Sequence, residues 1–186
     1  MRTSPDFEDV GLYVADADGS RPRRIADNID SYSTPAWSPD GRRIAYMSGG
    51  DMILLVNPNS GRQTRRVPTP AVVNCGAPAW SPDGRRFALV CAGVNTPTDP
   101  RYLRGVYVMN VDGTDLRRVV EDTGAASPTW SPDGTTIAFA GVSCHPPGWD
   151  VICAVEADGS GLRELTPRHR AESSSPHWST TRAPST

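Results

Sequence analysis

One seven-residue phrase recurs along this chain and leaves few folds open to it. Pro35-Ala36-Trp37-Ser38-Pro39-Asp40-Gly41 returns as Pro78-Ala79-Trp80-Ser81-Pro82-Asp83-Gly84 and again as Pro128-Thr129-Trp130-Ser131-Pro132-Asp133-Gly134. A worn copy, Pro176-His177-Trp178-Ser179, stands near the C-terminus. The interval is roughly 40–50 residues, the range of repeat architectures in which each unit is one supersecondary motif.

Each copy encodes a hairpin. Proline at the second turn position presets φ for a type I turn, Asp follows, and Gly takes the left-handed position that closes the hairpin. Positive φ is therefore expected at Gly41, Gly84 and Gly134. Beyond each turn comes a short apolar run: Ile44-Ala45-Tyr46-Met47, Phe87-Ala88-Leu89-Val90 and Ile137-Ala138-Phe139-Ala140. These fit buried strands. A second hairpin follows in every copy. Met52 to Val56, Val106 to Met109 and Val151 to Val155 lead into Asn57 to Gly61, Asn110 to Thr114 and Glu156 to Ser160, and more polar strands return. Each repeat reads as four antiparallel strands, A to D, which is the plan of a propeller blade.

These residues resemble the TolB-like, WD40-like propeller repeats often called PD40, whose unit is a P-x-W-S-P-D-G hairpin, a strand ending in an A-D-G-S-like turn, and a basic strand. Asp16-Ala17-Asp18-Gly19-Ser20 and Glu156-Ala157-Asp158-Gly159-Ser160 fit the second turn. The resemblance covers nearly the whole chain and implies an all-β fold: a β-propeller with three complete four-stranded blades plus a composite partial fourth. Family members include periplasmic TolB, the propeller domains of prolyl-oligopeptidase-like peptidases, and sensor domains. The expected division is a partial blade over 1–34, blades over 35–77, 78–127 and 128–175, and a closing strand and tail over 176–186. Strands C and D of the split blade come from Leu12 to Ile25, and its strand A from Pro176 to Ser179. Their pairing would close the ring, and an unclosed blade would leave an edge for self-association.

The 186 residues suffice for one domain with a substantial core. A net charge of −2 favours neither nucleic acid nor an acidic surface. No apolar run spans a bilayer, so no membrane insertion is expected, and Met1-Arg2-Thr3-Ser4-Pro5-Asp6 does not read as a signal peptide. Cys75 lies before strand A of the Trp80 hairpin and Cys91 follows strand B, almost opposite across the turn; Cys144 and Cys153 flank one short loop. Two local disulfides suit an oxidising compartment, which points to a periplasmic or extracellular location. The alternative is four buried thiols.

The A–B and C–D turns are short and uniform, whereas the B–C and D–A connections vary in length. In a propeller these variable connections open on one face, and recognition belongs on loops held by a rigid scaffold. The candidate binding residues are Arg101, Tyr102 and Arg104 in one loop, His145 and Trp149 in another, and His177 at the last strand A. Asp16-x-Asp18-Gly19 and Asp112-Gly113 lack the ligand ladder of a calcium loop and read as turns. No Gly-x-Ser-x-Gly elbow, phosphate loop, cofactor motif or paired metal-ligand spacing is present, so no catalytic residue, cofactor or metal is assigned. The reading is a non-catalytic module that binds or scaffolds a protein or peptide. The alternative is a metal-dependent lyase-like propeller enzyme, or the regulatory propeller of a larger prolyl-oligopeptidase-like peptidase.

Overall fold

The computed structural model describes residues 11–27, 29–30, 33–49, 51–69, 73–93, 104–122, 124–144, 151–166 and 175–178. Every regular element is a strand. They are β1 (Leu12–Val14), β2 (Arg23–Ala26), β3 (Ala36–Trp37), β4 (Ile44–Ser48), β5 (Met52–Val56), β6 (Gln63–Pro68), β7 (Val73–Trp80), β8 (Arg86–Gly93), β9 (Gly105–Asn110), β10 (Arg117–Glu121), β11 (Ala126–Trp130), β12 (Thr136–Gly141), β13 (Val151–Glu156) and β14 (Arg163–Glu164). They form a two-stranded sheet, β1-β2, and three four-stranded meanders, β3 to β6, β7 to β10 and β11 to β14. All pairings are antiparallel.

The hairpin phrase folds as its residues dictate. Gly41, Gly84 and Gly134 take φ of 67°, 68° and 71°. Ser38 Oγ donates to Asp40 Oδ1 (2.6 Å) and accepts from the Arg43 N–H (2.9 Å), while Asp40 also accepts from the Arg42 N–H (3.1 Å). The pattern repeats at Ser81–Asp83 and Ser131–Asp133. The serine hydroxyl is the main cause that holds all three carboxyls below the usual carboxylate range. Each turn is thus a small closed network of charge-assisted hydrogen bonds. The C–D turns use the same chemistry at Asp18, Asp112 and Asp158, each accepting from the N–H two residues on.

The sheets stack face to face, which explains why their central strands are apolar on both sides. In β4, Ala45 and Met47 face the second four-stranded sheet, and Ile44 and Tyr46 face the β1-β2 hairpin. In β8, Phe87, Leu89 and Cys91 pack back on the first four-stranded sheet while Ala88 faces the third. The period-2 alternation of a strand therefore feeds two different cores from one run of residues. Arginines tie the sheets at their turns. Arg23 donates to the carbonyls of Pro58 and Asn59, Arg86 to that of Gly134, and Arg117 to that of Ala157.

Two features depart from the sequence expectation. The second four-stranded sheet opens at Val73, well ahead of Pro78, and the third at Ala126, ahead of Pro128. In both, a bulge that takes in the proline shifts the register, between Gly76 and Ala79 and between Ala126 and Thr129. The bulge lets the strand start early and still present a proline where no N–H is needed. Second, among the described residues no pairing of Pro176 to Trp178 with the N-terminal hairpin is present, and Ser179 lies outside them. The β1-β2 sheet has two strands, and residues 175–178 form none. The C-terminal copy docks instead on the neighbouring third sheet, through Trp178.

Candidate functional site

The repeated tryptophans build the centre of the molecule. Trp80 Nε1 donates to the carbonyl of Ala36 (3.1 Å), Trp130 Nε1 to that of Ala79 (3.1 Å), and Trp178 Nε1 to that of Thr129 (3.4 Å). The acceptor in each case is the residue just before the tryptophan of the preceding repeat. Each A strand is thereby registered on its neighbour by one indole N–H. Arg43 stacks over Trp80 at 5.1 Å and Arg86 over Trp130 at 4.7 Å, again reaching from one repeat to the next. A cation over an indole adds from about 0.5–1 kcal/mol at an exposed site to about 2 kcal/mol when desolvated, and both arginines are half-buried. Trp80 and Trp130 are 8% and 5% exposed. Trp37 differs: among the described residues no A segment precedes it, and it is 53% exposed. The three share one sequence position, yet only Trp80 and Trp130 are packed, each on the A strand of the preceding repeat.

The four A segments converge on one cavity of about 460 Å³. Pro35, Pro78, Pro128 and Pro176 line it, with Ala36, Ala79, Thr129 and His177 at the next position of each repeat. The scaffold is constant, and the side chain between proline and tryptophan varies. Ser127, also on the wall, is held at φ 49° by the bulge in β11, a conformation that non-glycine residues seldom adopt.

At one end of the A strands the variable connections are fastened together. Asp122, 1% exposed and just past β10, accepts from the N–H groups of Gly124 (2.7 Å), Val142 (2.8 Å) and Ser143 (2.7 Å). Val142 and Ser143 belong to the B–C connection of the next sheet, so one carboxylate joins a D–A connection to a B–C connection across a sheet boundary. A Cβ at Gly141 would run into Asp122 Oδ2, which is why glycine stands there. Asp30 acts similarly at an earlier boundary, accepting from the Gly49 N–H (2.9 Å).

Of the residues singled out from sequence, His177 lies on the cavity wall and is exposed. Arg104 is a fastener: its guanidinium donates to the Ala125 carbonyl (3.3 Å) and its own carbonyl accepts from the Asp122 N–H (3.0 Å). Arg101, Tyr102, His145 and Trp149 lie outside the described residues. Cys75 and Cys91 are cross-strand partners of β7 and β8 and are joined as a disulfide; Cys144 and Cys153 are joined likewise. Among the described residues, no three His, Cys, Asp or Glu side chains converge in a way that could hold a metal ion. Sequence reasoning passed over Ala36, Ala79 and Thr129, although a position that varies inside a constant phrase is the kind of signal that marks a lining residue.

A model of the TolB β-propeller domain, PD40, matches residues 2–183. The chain belongs to the TolB β-propeller family. The Tol-Pal system protein TolB of Bordetella pertussis is 32% identical over 132 residues, covering 69% of this chain and 28% of that protein. The chain thus spans less than a third of the length of that relative. Two solved structures share the propeller fold at low identity. An oligogalacturonate lyase in complex with manganese superposes with a TM-score of 0.67 and 15% identity over 86% of this chain and 46% of that one. The β-propeller domain of the trilobed protease from Pyrococcus furiosus gives 0.50 and 17% over 73% and 42%. Propeller blades stand around a central channel, the position that the A-strand cavity takes here.

Proposed function

We propose that this TolB-family propeller is a non-catalytic module that binds a protein or peptide at the axial cavity and its loop-bearing rim. One observation carries the reading. Four repeats present four side chains, Ala36, Ala79, Thr129 and His177, to one cavity from an otherwise constant frame. A rigid wall with variable inward positions suits recognition of a partner by shape, with little ordering cost on binding. The rim gains similar rigidity from Asp30 and Asp122, which hold loops from successive sheets against each other. The two disulfides favour a periplasmic or extracellular setting. The name of the Bordetella relative places that protein in the Tol-Pal system, which makes soluble components of that assembly the first partners to try.

The test is calorimetric titration of the chain with those components and with peptides selected from a displayed library on the immobilised chain. Thr129→Arg places a long cationic side chain at the cavity wall from a partly exposed position outside the apolar clusters. The expected result is micromolar binding that weakens at least about tenfold in the variant, a loss of roughly 1.4 kcal/mol. Ligands that bind both proteins equally would move the site off the cavity.

A further inference from the structure

We infer that the outer edge of β6 is a docking strand for an extended acidic peptide segment, which adds to the first four-stranded sheet beside Arg65 and Arg66. The backbone sets where pairing can occur. The Thr69 N–H donates to the Asp51 carbonyl (2.8 Å), and β6 runs antiparallel to β5 with Val67 opposite Ile53, Arg66 opposite Leu54 and Arg65 opposite Leu55. Hydrogen-bonded pairs alternate along such a ladder. Thr69, Val67 and Arg65 therefore bond toward β5, and the N–H and C=O of Arg66 point away from it. Pro68 is turned outward as well, where its missing N–H breaks no bond to β5. Among the described residues β6 pairs with β5 alone. Its outward groups are a template for one more strand.

The charges choose the strand. The stretch from Arg62 to Pro68 contains three arginines and no acidic residue, and all three arginines are exposed. The same arginine pair opens β2 and β10, where it is already in use. Arg23 donates to the carbonyls of Pro58 and Asn59, and Arg24 pairs with Asp27 (2.7 Å). Arg117 donates to the Ala157 carbonyl, and Arg118 pairs with Glu121 (3.2 Å). At β6 neither guanidinium makes such a bond among the described residues. Asp112 of the next sheet, whose carboxyl is held low mainly by Thr114, feels Arg65 as a lesser influence. Arg65 and Arg66 stand on opposite faces of the sheet, beside Leu55 and Leu54, which belong to different cores. Two adjacent acidic residues on an incoming strand alternate in the same way, so each meets one arginine. Opposite charges across a ladder stabilise it, and like charges do the reverse. A second copy of β6 would set arginine beside arginine and is disfavoured. Because Pro68 shortens the ladder, the backbone bonds are few, and selectivity for acid lies in the side chains.

The experiment titrates the 186-residue chain with a synthetic peptide in which two adjacent glutamates are flanked by valine and threonine, and follows amide exchange in parallel. Binding should be measurable below about 1 mM. The Arg66 amide, turned away from β5 in the free chain, should exchange at least about tenfold more slowly in the complex. N-methylation of both glutamates keeps their charge and removes their N–H donors, so it should abolish that protection and most of the affinity. The double variant Arg65→Glu/Arg66→Glu should bind the acidic peptide at least about tenfold more weakly and gain affinity for a counterpart with two adjacent lysines. The exchange and N-methylation arms use the wild-type chain, so they decide the matter even where the variant fails to fold. Equal binding of the N-methylated peptide means attraction of any polyanion without strand pairing and overturns the proposal. So does a folded double variant that holds the acidic peptide as tightly as the wild type, protection that leaves Arg66 unaltered, or no binding up to about 1 mM.

Discussion

Replacing Asp122 by Ala should cost this protein about 3–5 kcal/mol. The carboxylate is 1% exposed and accepts three backbone N–H groups at 2.7–2.8 Å, two of them from the next sheet. Hydrogen bonds to an ionised acceptor contribute about 1.5–3 kcal/mol each, and donors left unsatisfied in a buried site cost about 1–3 kcal/mol each. A simple sum overshoots, because water entering the vacated volume re-solvates some of the donors. The lower half of the range remains, comparable to breaking one side of a buried charged pair. In a domain of this size each kcal/mol moves the melting temperature by about 2–4 °C, so a drop of roughly 6–20 °C is expected. Urea unfolding gives the free energy directly, and amide exchange gives the location: the N–H groups of Gly124, Val142 and Ser143 should lose protection in the variant while those of β4 and β5 keep theirs. Asp122→Asn is the sharper control. It preserves volume and one acceptor oxygen but turns an amide donor toward N–H groups, so it should recover less than half of the loss. A change below about 1 kcal/mol in the alanine variant, with exchange unaltered, would refute the idea that this carboxylate holds the sheet boundary.

Gly84→Val should destabilise by roughly 1–2 kcal/mol, read from urea midpoints, because φ is 68° while a Cβ there meets nothing closer than Pro39 Cδ at 3.9 Å. The penalty is conformational rather than steric, so Gly84→Asn should cost clearly less. Acid should weaken the fold through the turn carboxylates. Asp40, Asp83 and Asp133 have depressed folded-state values, caused first by the serine hydroxyls. Their contribution is fully present above the unfolded value near about 3.9 and is lost as pH falls through the folded value. Melting temperature should then be insensitive to these groups from about pH 5 to 8 and decline below about pH 4; a protein equally stable at pH 2.5 would contradict the assignment.

The turns and the double-sided strands were legible in sequence because their causes are local. Ser38, Asp40 and Gly41 need only each other to close a hairpin, and Ile44 to Met47 announce burial on both faces by composition. What escaped depends on neighbours. Trp37 and Trp80 sit in identical phrases, yet one is half in water and the other is enclosed, because among the described residues only Trp80 has a preceding A segment to dock on. Asp122 looks like any acidic residue of a loop until the connection after β12 is brought over it. The start of β7 at Val73 was hidden by the bulge, since an inserted residue breaks the alternation that marks a strand. The closing pair expected at the ends was reasoned from complementarity of pieces, and part of it, Ser179, lies outside the described residues.

The indole contacts between repeats carry one more consequence. Their acceptors are main-chain carbonyls, which every residue type possesses. Ala36, Ala79, Thr129 and His177 hold equivalent positions, and at the first three the carbonyl already serves as acceptor while the side chain borders the channel. The joint between repeats and the lining of the cavity are thereby written on different atoms of the same residue. Mutation at these sites can redraw the interior of the channel step by step, from methyl to hydroxyl to imidazole, without touching the joint that keeps the blades aligned. A chain built on such a joint can change what lines its cavity without changing how its repeats dock.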